Sequence, residues 1–494
     1  MYLAGIDIGT TGCKCSVYTD SGEFITEAYR EYSINVSEDM HSVDFNIIWD
    51  NIKLVMKEIT NVVNQIEAIC VTSFGEASVI VGDDGEALLE ALLFTDPNGQ
   101  AECDEIEENL GAQYIYEHMG IAPGKMYSAS KWMWQKKYCE REWQKAKYVF
   151  LMEDYIVYKL SGVRQIDYSL ATRTMAFDIK KLAWDEKVLD MVGITTEMLS
   201  TPVATGSVAG EMLADISREF GFINEPIIVS GCHDQIAAAI GSGIMKAGQA
   251  VDGTGTVECV TCAFSKSRKV KSDDLYDGGY AVVPYNKDLF VTYAFTYTGG
   301  ALLKWYRDKI MDVEAKVLSE NGQNIYQSFN EKIKMEKPSG ILITPHFAGA
   351  GTPYMNNDAK GVIQGVTLET DKYDIYQGLM EGTAYEMRLS LEILEAAGVE
   401  VDVVVATGGG ASSKEWLQIK ADIYGKKVVS LGAAQSGTLA CIMLAGVACK
   451  RFADLEEASN IYVIENDVYF PRDEVQEKYT KLYEEYKMLY PKLY

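Results

Sequence analysis

The sequence predicts an α/β protein built as two lobes, and three observations predict it. Strand-like apolar runs alternate with longer runs of helical periodicity along the whole chain, the pattern of layered strands and helices. A chain of 494 residues, 48% hydrophobic, is too long for one core and fits two domains of ordinary to large size. One local pattern also occurs twice: residues 5–12 read GIDIGTTG and residues 250–257 read AVDGTGTV, with Asp7 and Asp252 separated by 245 positions, about half the chain. A repeat of that period is one of domains rather than of a solenoid unit. The lobe boundary falls between Gly241 and Gly248, where Gly, Ser and Lys cluster, giving an N-terminal lobe of residues 1–247 and a C-terminal lobe of residues 248–494.

Taken in order, residues 3–8, 15–19 and 24–30 read as a strand meander, opened by a Gly-Thr turn and closed at Asp20, Ser21 and Gly22. Residues 45–62 follow as an amphipathic helix, because Ile48, Ile52, Val55, Ile59 and Val62 recur at helical spacing. Residues 68–72 and 77–81 read as buried strands around a short polar insert. The apolar run 227–229 passes through Gly231, Cys232, His233, Asp234 and Gln235 into a helix over 236–240. In the second half, 278–284 and 289–293 read as strands and 373–397 as a long helix. Residues 403–406 form an apolar strand running into Gly408, Gly409 and Gly410, with a helix over 414–424. The tail 474–494 reads as an amphipathic, Tyr-rich packing helix.

Bulk properties exclude several classes. No apolar run reaches the roughly 18 residues of a membrane span, and no basic stretch followed by an apolar core opens the chain. A cytoplasmic protein without membrane association is expected, and ten scattered cysteines suit a reducing compartment. The close pairs Cys13 with Cys15 and Cys259 with Cys262 read as structural, since a zinc site needs a second matching pair that neither the four His nor the other Cys provide. A net charge of −27 argues against nucleic acid and anionic membrane as partners, because both require a basic face. It does not exclude a nucleotide, which arrives with Mg²⁺ and is gripped by local amides.

The repeated segments suit phosphate. Glycine lets backbone N–H groups approach an anion, and phosphoryl transfer asks mainly for donors on phosphate oxygens and a carboxylate to hold Mg²⁺. In the first copy Asp7 suits the metal while Gly9, Thr10 and Thr11 suit the phosphate; in the second, Gly253, Thr254, Gly255 and Thr256 repeat the donors. A single Asp-x-Gly-Thr reads as well as a β-turn with Thr caps, and the repetition is what favours a clamp. A third glycine site, Gly408, Gly409, Gly410, Ala411, Ser412 and Ser413, lies at a strand-to-helix turn with room for adenine or phosphate. Neither GxxxxGK[ST] nor a complete GxGxxG occurs.

Between the clamps, a strand end that delivers His233, Asp234 and Gln235 to a helix start is a costly place for polar groups unless they meet a ligand. Asp234 is the candidate general base; the plainer alternative makes it a helix cap and His233 a satisfied core residue. Of the two repeated aspartates, Asp7 reads as close to the chemistry and Asp252 as structural.

Together with Gly361 to Gly365 (GVIQG), residues 379–388 and Met126 to Trp134 (MYSASKWMW), these segments resemble the FGGY carbohydrate kinases of the actin/hexokinase-like superfamily, over nearly the whole chain. The resemblance implies two ribonuclease-H-like lobes around a central cleft, with sugar against the N-terminal lobe and ATP held mainly by the C-terminal lobe. It implies transfer of the γ-phosphoryl group of Mg-ATP to a sugar hydroxyl, Asp234 as base, Asp7 as the Mg²⁺-associated carboxylate, Thr254 to Thr256 as phosphate loop and Gly409 to Ser413 as adenosine wall. Lobe closure would exclude water.

Sugar selection in the family involves a loop after the third strand and an aromatic-x-Asp-x-Arg stretch, which here read Ser73, Phe74, Gly75, Glu76, Ala77 and Phe94, Thr95, Asp96, Pro97, Asn98. Both depart from common patterns. Xylulose kinases show Met-His-Gly in the loop and glycerol kinases Arg-Glu; here Glu76 is kept, Gly75 stands where the Arg would be, and Asn98 replaces the other Arg. Glu76, Asp96, Asp234 and Gln235 suit a neutral polyhydroxylated molecule better than an anion such as gluconate. The expected substrate is a ketose, a pentulose such as xylulose or a hexulose, with a polyol of glycerol or erythritol type as alternative. A nucleotide switch of actin or chaperone type is the alternative from another class, and it has no evident need for the HDQ segment. A small-molecule sugar and ATP are the expected partners, and a homodimer is a candidate assembly.

Overall fold

The opening meander forms as its alternation predicts: β1 (Tyr2–Ile8), β2 (Gly12–Thr19) and β3 (Phe24–Glu31) pair antiparallel in sequence order. The structure, a computed structural model, describes residues 1–432 and 436–494. It divides into two units. The first comprises Met1–Met245, Val282–Phe290 and a segment ending at Val463 that carries helix α8 (Ser436–Ala448); the second comprises Lys246–Ala281, a stretch beginning at Val291, and Ile464–Tyr494. A single linear division at 247/248 does not anticipate these returns of the chain.

The first unit's sheet is completed by β4 (Ala68–Ser73), β5 (Val208–Glu211) and β6 (Ile227–His233), in the order β5-β6-β4-β1-β2-β3. Strands β1, β4 and β6 are parallel, and Ser73 is in register with both Ile8 and His233. Every residue of β4 is buried, as expected of a parallel strand covered on both faces. Period-2 alternation sorts β1: Ala4, Ile6 and Ile8 join the core under α1 (Phe45–Thr60), while Gly5 and Asp7 approach α8, where a Cβ on Gly5 would lie 2.5 Å from the Thr438 carbonyl oxygen. Helix α1 buries Ile48, Ile52, Val55 and Ile59, each contributing about 1.5–3 kcal/mol over an exposed position. Asp44 caps it by accepting from the Asn46 N–H, and Val62 falls beyond its end and is exposed. Helices α2 (Ser128–Tyr138), α3 (Met152–Ser161), α4 (Tyr168–Thr172) and α5 (Asp234–Gly241) complete the elements that frame the strand ends.

The second unit repeats the plan. Strands β7 (Gly248–Thr254), β8 (Glu258–Ser265), β9 (Leu289–Thr296), β10 (Val401–Thr407), β11 (Lys427–Leu431) and β12 (Glu465–Tyr469) run in the order β9-β8-β7-β10-β11-β12. Hairpin β7–β8 stands as β1–β2 does, and β7, β10 and β11 are parallel. The long helix α6 (Lys372–Ala397) starts at a capping box of Asp371 and Asp374; α7 (Lys414–Tyr424) and α9 (Asp473–Tyr486) pack against each other.

Three expectations change. Residues 77–81 form a strand (Ser78–Val81) that pairs with Tyr148–Leu151 and stays out of the main sheet. Of 278–284 only Val283–Pro284 is strand, because the chain turns at Gly279 (φ +70°) after a short helix ending at Asp277. The tail breaks into α9 and a last turn, Leu489–Leu493, since Pro491 has no N–H to bond the Lys487 carbonyl. Among the described residues no cysteine forms a disulfide; Cys259 is half-buried, Cys13, Cys15 and Cys262 are buried, and burial raises those three thiols. Among the described residues no helix is long and apolar enough to cross a membrane.

Candidate active site

Ligand sites in open α/β sheets gather at the carboxyl ends of parallel strands. In the first unit, β1 ends at Ile8 and turns through Gly9, Thr10 and Thr11; β4 ends at Ser73 and leads to Phe74, Gly75 and Glu76; β6 ends at His233, with Asp234 and Gln235 opening α5. The first turn is held by Gly9 N–H on the Gly12 carbonyl (2.9 Å), Tyr32 N–H on the Thr11 carbonyl (3.1 Å) and the Tyr32 hydroxyl on the Gly9 carbonyl.

Burial raises the Asp7 carboxyl to about 6, against the pull of Lys14, and among the described residues no side chain pairs with it. Asp234 is raised to about 7, first by burial, then by the charges of Asp7 and Glu76, while the Gln235 N–H and Arg173 work the other way. Its side chain nevertheless keeps 40% of its surface accessible, so the carboxylate is reachable. His233 Nε2 lies 3.1 Å from Asp234 Oδ1. Burial and the nearby Arg173 charge hold His233 well below its usual range, hence neutral, and among the described residues its buried Nδ1 has no hydrogen-bond partner. The capping alternative fails in its simple form: Asp234 is the first helical residue, His233 occupies the cap, and no side chain caps that end.

Arg173, from the turn after α4, was not legible in the sequence. Its Nε lies 2.6 Å from Glu76 Oε1, Nη2 meets the same oxygen, and its guanidinium sits 5.0 Å from the Tyr127 ring centroid. A lone arginine between two threonines carries no local signal for a pairing 97 residues away. Asp96 behaves differently from Glu76. It is fully buried and accepts from the His41 N–H (2.8 Å), the Asn98 N–H (3.0 Å) and Lys131 Nζ (3.2 Å). Lys131 comes from the MYSASKWMW segment, so that segment anchors the 94–98 stretch while Phe94 stays exposed.

In the second unit the corresponding strand ends border a cavity of about 960 Å³, within the range of small-molecule sites. Thr254, Gly255 and all of Gly408, Gly409, Gly410, Ala411 and Ser412 line it; Gly253 and Thr256 are not among its lining residues, and Thr10 and Thr11 belong to the first unit. Gly408 has φ +79°, and a Cβ there would lie 2.6 Å from the Thr254 carbonyl oxygen, so glycine is required. The sequence did not reveal Asn330, whose amide donates to Ser413 Oγ (3.0 Å) and whose Oδ1 accepts from Tyr376 (3.0 Å), tying α6 to the glycine turn. Ser413 in turn caps α7 through the Trp416 N–H, aiming helix N–H groups at the wall where an anion gains most.

Asp252 lies outside that cavity wall. It is wholly buried, with Lys420 Nζ at 2.7 Å and the Tyr424 hydroxyl at 3.1 Å; Lys420 also meets Thr254 Oγ1 (2.6 Å) and Glu258 (3.1 Å). A further cluster, His118, Asp178 and Asp185, has metal-like spacing. Its atoms are engaged: Asp178 with His118 and two backbone N–H groups, Asp185 with Tyr114 and the Val188 N–H.

Known proteins agree with this layout. The chain is 24% identical to the xylulose kinase of Bacillus subtilis (strain 168), over 99% of this chain and 96% of that one. It is 26% identical to the glycerol kinase of Clostridium perfringens (strain SM101 / Type A), over 98% and 97%. It shares the fold of the ligand-bound xylulose kinase from Lactobacillus acidophilus, with a TM-score of 0.89 at 22% identity over 100% of this chain and 98% of that chain. The N-terminal domain of the FGGY family matches residues 2–241 and its C-terminal domain residues 253–449. Two family domains thus account, in order, for most of the chain, and the protein belongs to the FGGY family of carbohydrate kinases.

Proposed function

We propose that this kinase transfers the γ-phosphoryl group of Mg-ATP to a hydroxyl of a neutral ketose, a pentulose such as xylulose or a hexulose. The observation that carries the reading is Asp234: an accessible carboxylate at a strand end whose affinity for a proton is raised to about 7, where a general base works best. The sugar hydroxyl oxygen attacks the γ-phosphorus as Asp234 takes its proton, and the bond to the β,γ-bridging oxygen breaks to release ADP. The first unit takes the sugar and the second the ATP. Thr254, Gly255 and the glycine turn supply backbone donors to the nucleotide with Gly253 and Thr256 behind them, and Thr10 and Thr11 serve the transferred phosphate.

Asp7 fits Mg²⁺: it is a hard oxygen donor without a paired side chain among the described residues, and its raised pKa reports a desolvated charge. Bound there, the cation would neutralise phosphate charge. Glu76, His233 and Gln235 contact the sugar beside Phe74 and Gly75, whereas the buried Asp96 holds the neighbouring stretch through its three hydrogen bonds. Charge favours a neutral substrate, because among the described residues Asp7, Glu76 and Asp234 outnumber Arg173 and Lys14, and His233 is neutral. The retained Glu76 and the glycerol kinase relative support a polyol as second reading.

Mg-ATP turnover against pentuloses, hexuloses, polyols and gluconate tests this. Stimulation by a neutral sugar or polyol, and loss of about 10²–10⁴ in turnover for Asp234→Asn with ATP binding intact, is expected. Turnover indifferent to every sugar, or a loss under about tenfold for Asp234→Asn, defeats the reading.

A further inference from the structure

Gly75 is the residue at which the loop after β4 departs from the Arg-Glu pattern, and the structure shows what takes up the room. A Cβ on Gly75 would lie 2.9 Å from Arg173 Cγ and 3.1 Å from both Cδ2 and Nε2 of His233. These are closer than the roughly 3.5–4.0 Å of ordinary contact, so any side chain at 75 must displace Arg173 and press on His233. Arg173 then turns its guanidinium onto Glu76, with Nε and Nη2 on the same carboxylate oxygen.

Several bonds fix this arrangement. Asp167 caps α4 through the Ser169 and Leu170 N–H groups, and Ser169 Oγ accepts from the His233 N–H at 3.0 Å, so the helix that delivers Arg173 is tied to the strand that delivers His233 and Asp234. The Ser128 hydroxyl donates to the Glu76 carbonyl at 2.6 Å. Glu76 itself has φ +63°, a conformation that a non-glycine residue keeps only where its surroundings over-determine it.

We propose that Arg173 is the positioning residue that sets sugar specificity: it occupies the space vacated at Gly75 and pins Glu76 through Oε1, leaving Oε2 to accept from the hydroxyls of a neutral polyhydroxylated substrate. The guanidinium missing from the loop is thereby supplied from a distant part of the chain, and in a different role. An arginine at 75 would point its own donors at the ligand, whereas Arg173 spends its fork on Glu76 and makes the ligand-facing group an acceptor. The paired charges also cancel, so the pocket has no surplus cation to attract a sugar acid. The proposal deepens the kinase reading above and rests on it.

Steady-state kinetics of the full chain with Arg173→Gln, Arg173→Lys, Gly75→Ala, Arg173→Ala and Gly75→Ala/Arg173→Ala test it, using the sugar that best stimulates the wild type. For Arg173→Gln the sugar KM should rise by about 10- to 100-fold, the worth of hydrogen bonds to a charged group, with the ATP KM within about twofold and partial rescue in Arg173→Lys. Gly75→Ala alone should raise the sugar KM, and should add little once Arg173 is alanine. An unchanged sugar KM in Arg173→Gln, equal rises in both KM values, or fully additive effects of Gly75→Ala and Arg173→Ala would overturn the proposal. Should the wild type bind sugars without phosphorylating them, the kinase reading fails by itself. Sugar-induced thermal shifts then decide on Arg173: a smaller shift in Arg173→Lys supports its role, and equal shifts refute it.

Discussion

Asp7 and Asp252 hold the same place in two copies of one hairpin, each on the strand that pairs antiparallel with the next and parallel with a later one. Their surroundings differ. Asp252 is met by Lys420 and Tyr424 from α7 and is wholly enclosed, whereas Asp7 faces α8 at Gly437, a residue without a side chain, and among the described residues no side chain pairs with it. Among the described residues the same local motif is therefore paired with a cationic side chain in one unit and left without such a pair in the other. The lesson is that a repeated strand-turn pattern specifies where a carboxylate stands, and the helix packed against it specifies what the carboxylate can do.

The comparison can be broken from both sides. Asp7→Asn should cut turnover by about 10³-fold, the several kcal/mol that a metal-bound charge contributes, with the melting temperature little changed. A loss under about tenfold would mean that Asp7 holds nothing the reaction needs. Asp252→Ala should act oppositely, lowering stability by about 3–5 kcal/mol because Lys420 is left buried without its nearer carboxylate. Turnover per folded molecule should stay near wild type. Chemical denaturation measures the first, and Asp252→Leu/Lys420→Met/Glu258→Met should recover most of the loss, since a buried ionic triad replaced by apolar groups of similar size is close to neutral. Unchanged stability of Asp252→Ala together with a loss of turnover per folded molecule would place Asp252 in the chemistry after all.

A smaller effect concerns pH. Asp7 and Asp234 are raised from 3.8 to about 6 and about 7 by burial, with Asp7 adding to the rise at Asp234. Catalysis needs Asp234 deprotonated, so kcat/KM for the sugar should climb with pH and level off above about 7. Stability should move the other way. The folded-state value lies above the unfolded one, so the contribution is fully present below about pH 3.8 and is lost as pH rises through about 7. Melting curves of wild type and Asp234→Asn across that window should converge at low pH, where Asp234 is protonated, and separate in favour of the variant as pH rises. Curves that stay parallel would show that Asp234 does not titrate there.

Much of the fold was legible because it is local. The meander at residues 3–30, the helix over 414–424 and the strand into Gly408 follow from period-2 and period-3.6 patterning and from turn chemistry, and the structure realises them within a residue or a few. The breaks in that agreement have local causes as well, Gly279 turning one expected strand and Pro491 ending the tail helix. His233 and Asp234 stood out because polar residues at a strand end are conspicuous in sequence, Asp7 through the repeated pattern and Glu76 through the family resemblance.

The sequence by itself determined two α/β units, the repeated hairpin and the identity of the carboxylates at its strand ends. Only the tertiary structure decided which of those carboxylates are paired: Lys420 with Asp252, Arg173 with Glu76, Lys131 with Asp96, and α8 returning to the first unit beside Asp7. The reason is physical. Backbone periodicity and turn chemistry act over a few residues, whereas a buried charge is neutralised by whichever side chain packing delivers, here from 35 to 168 positions away along the chain.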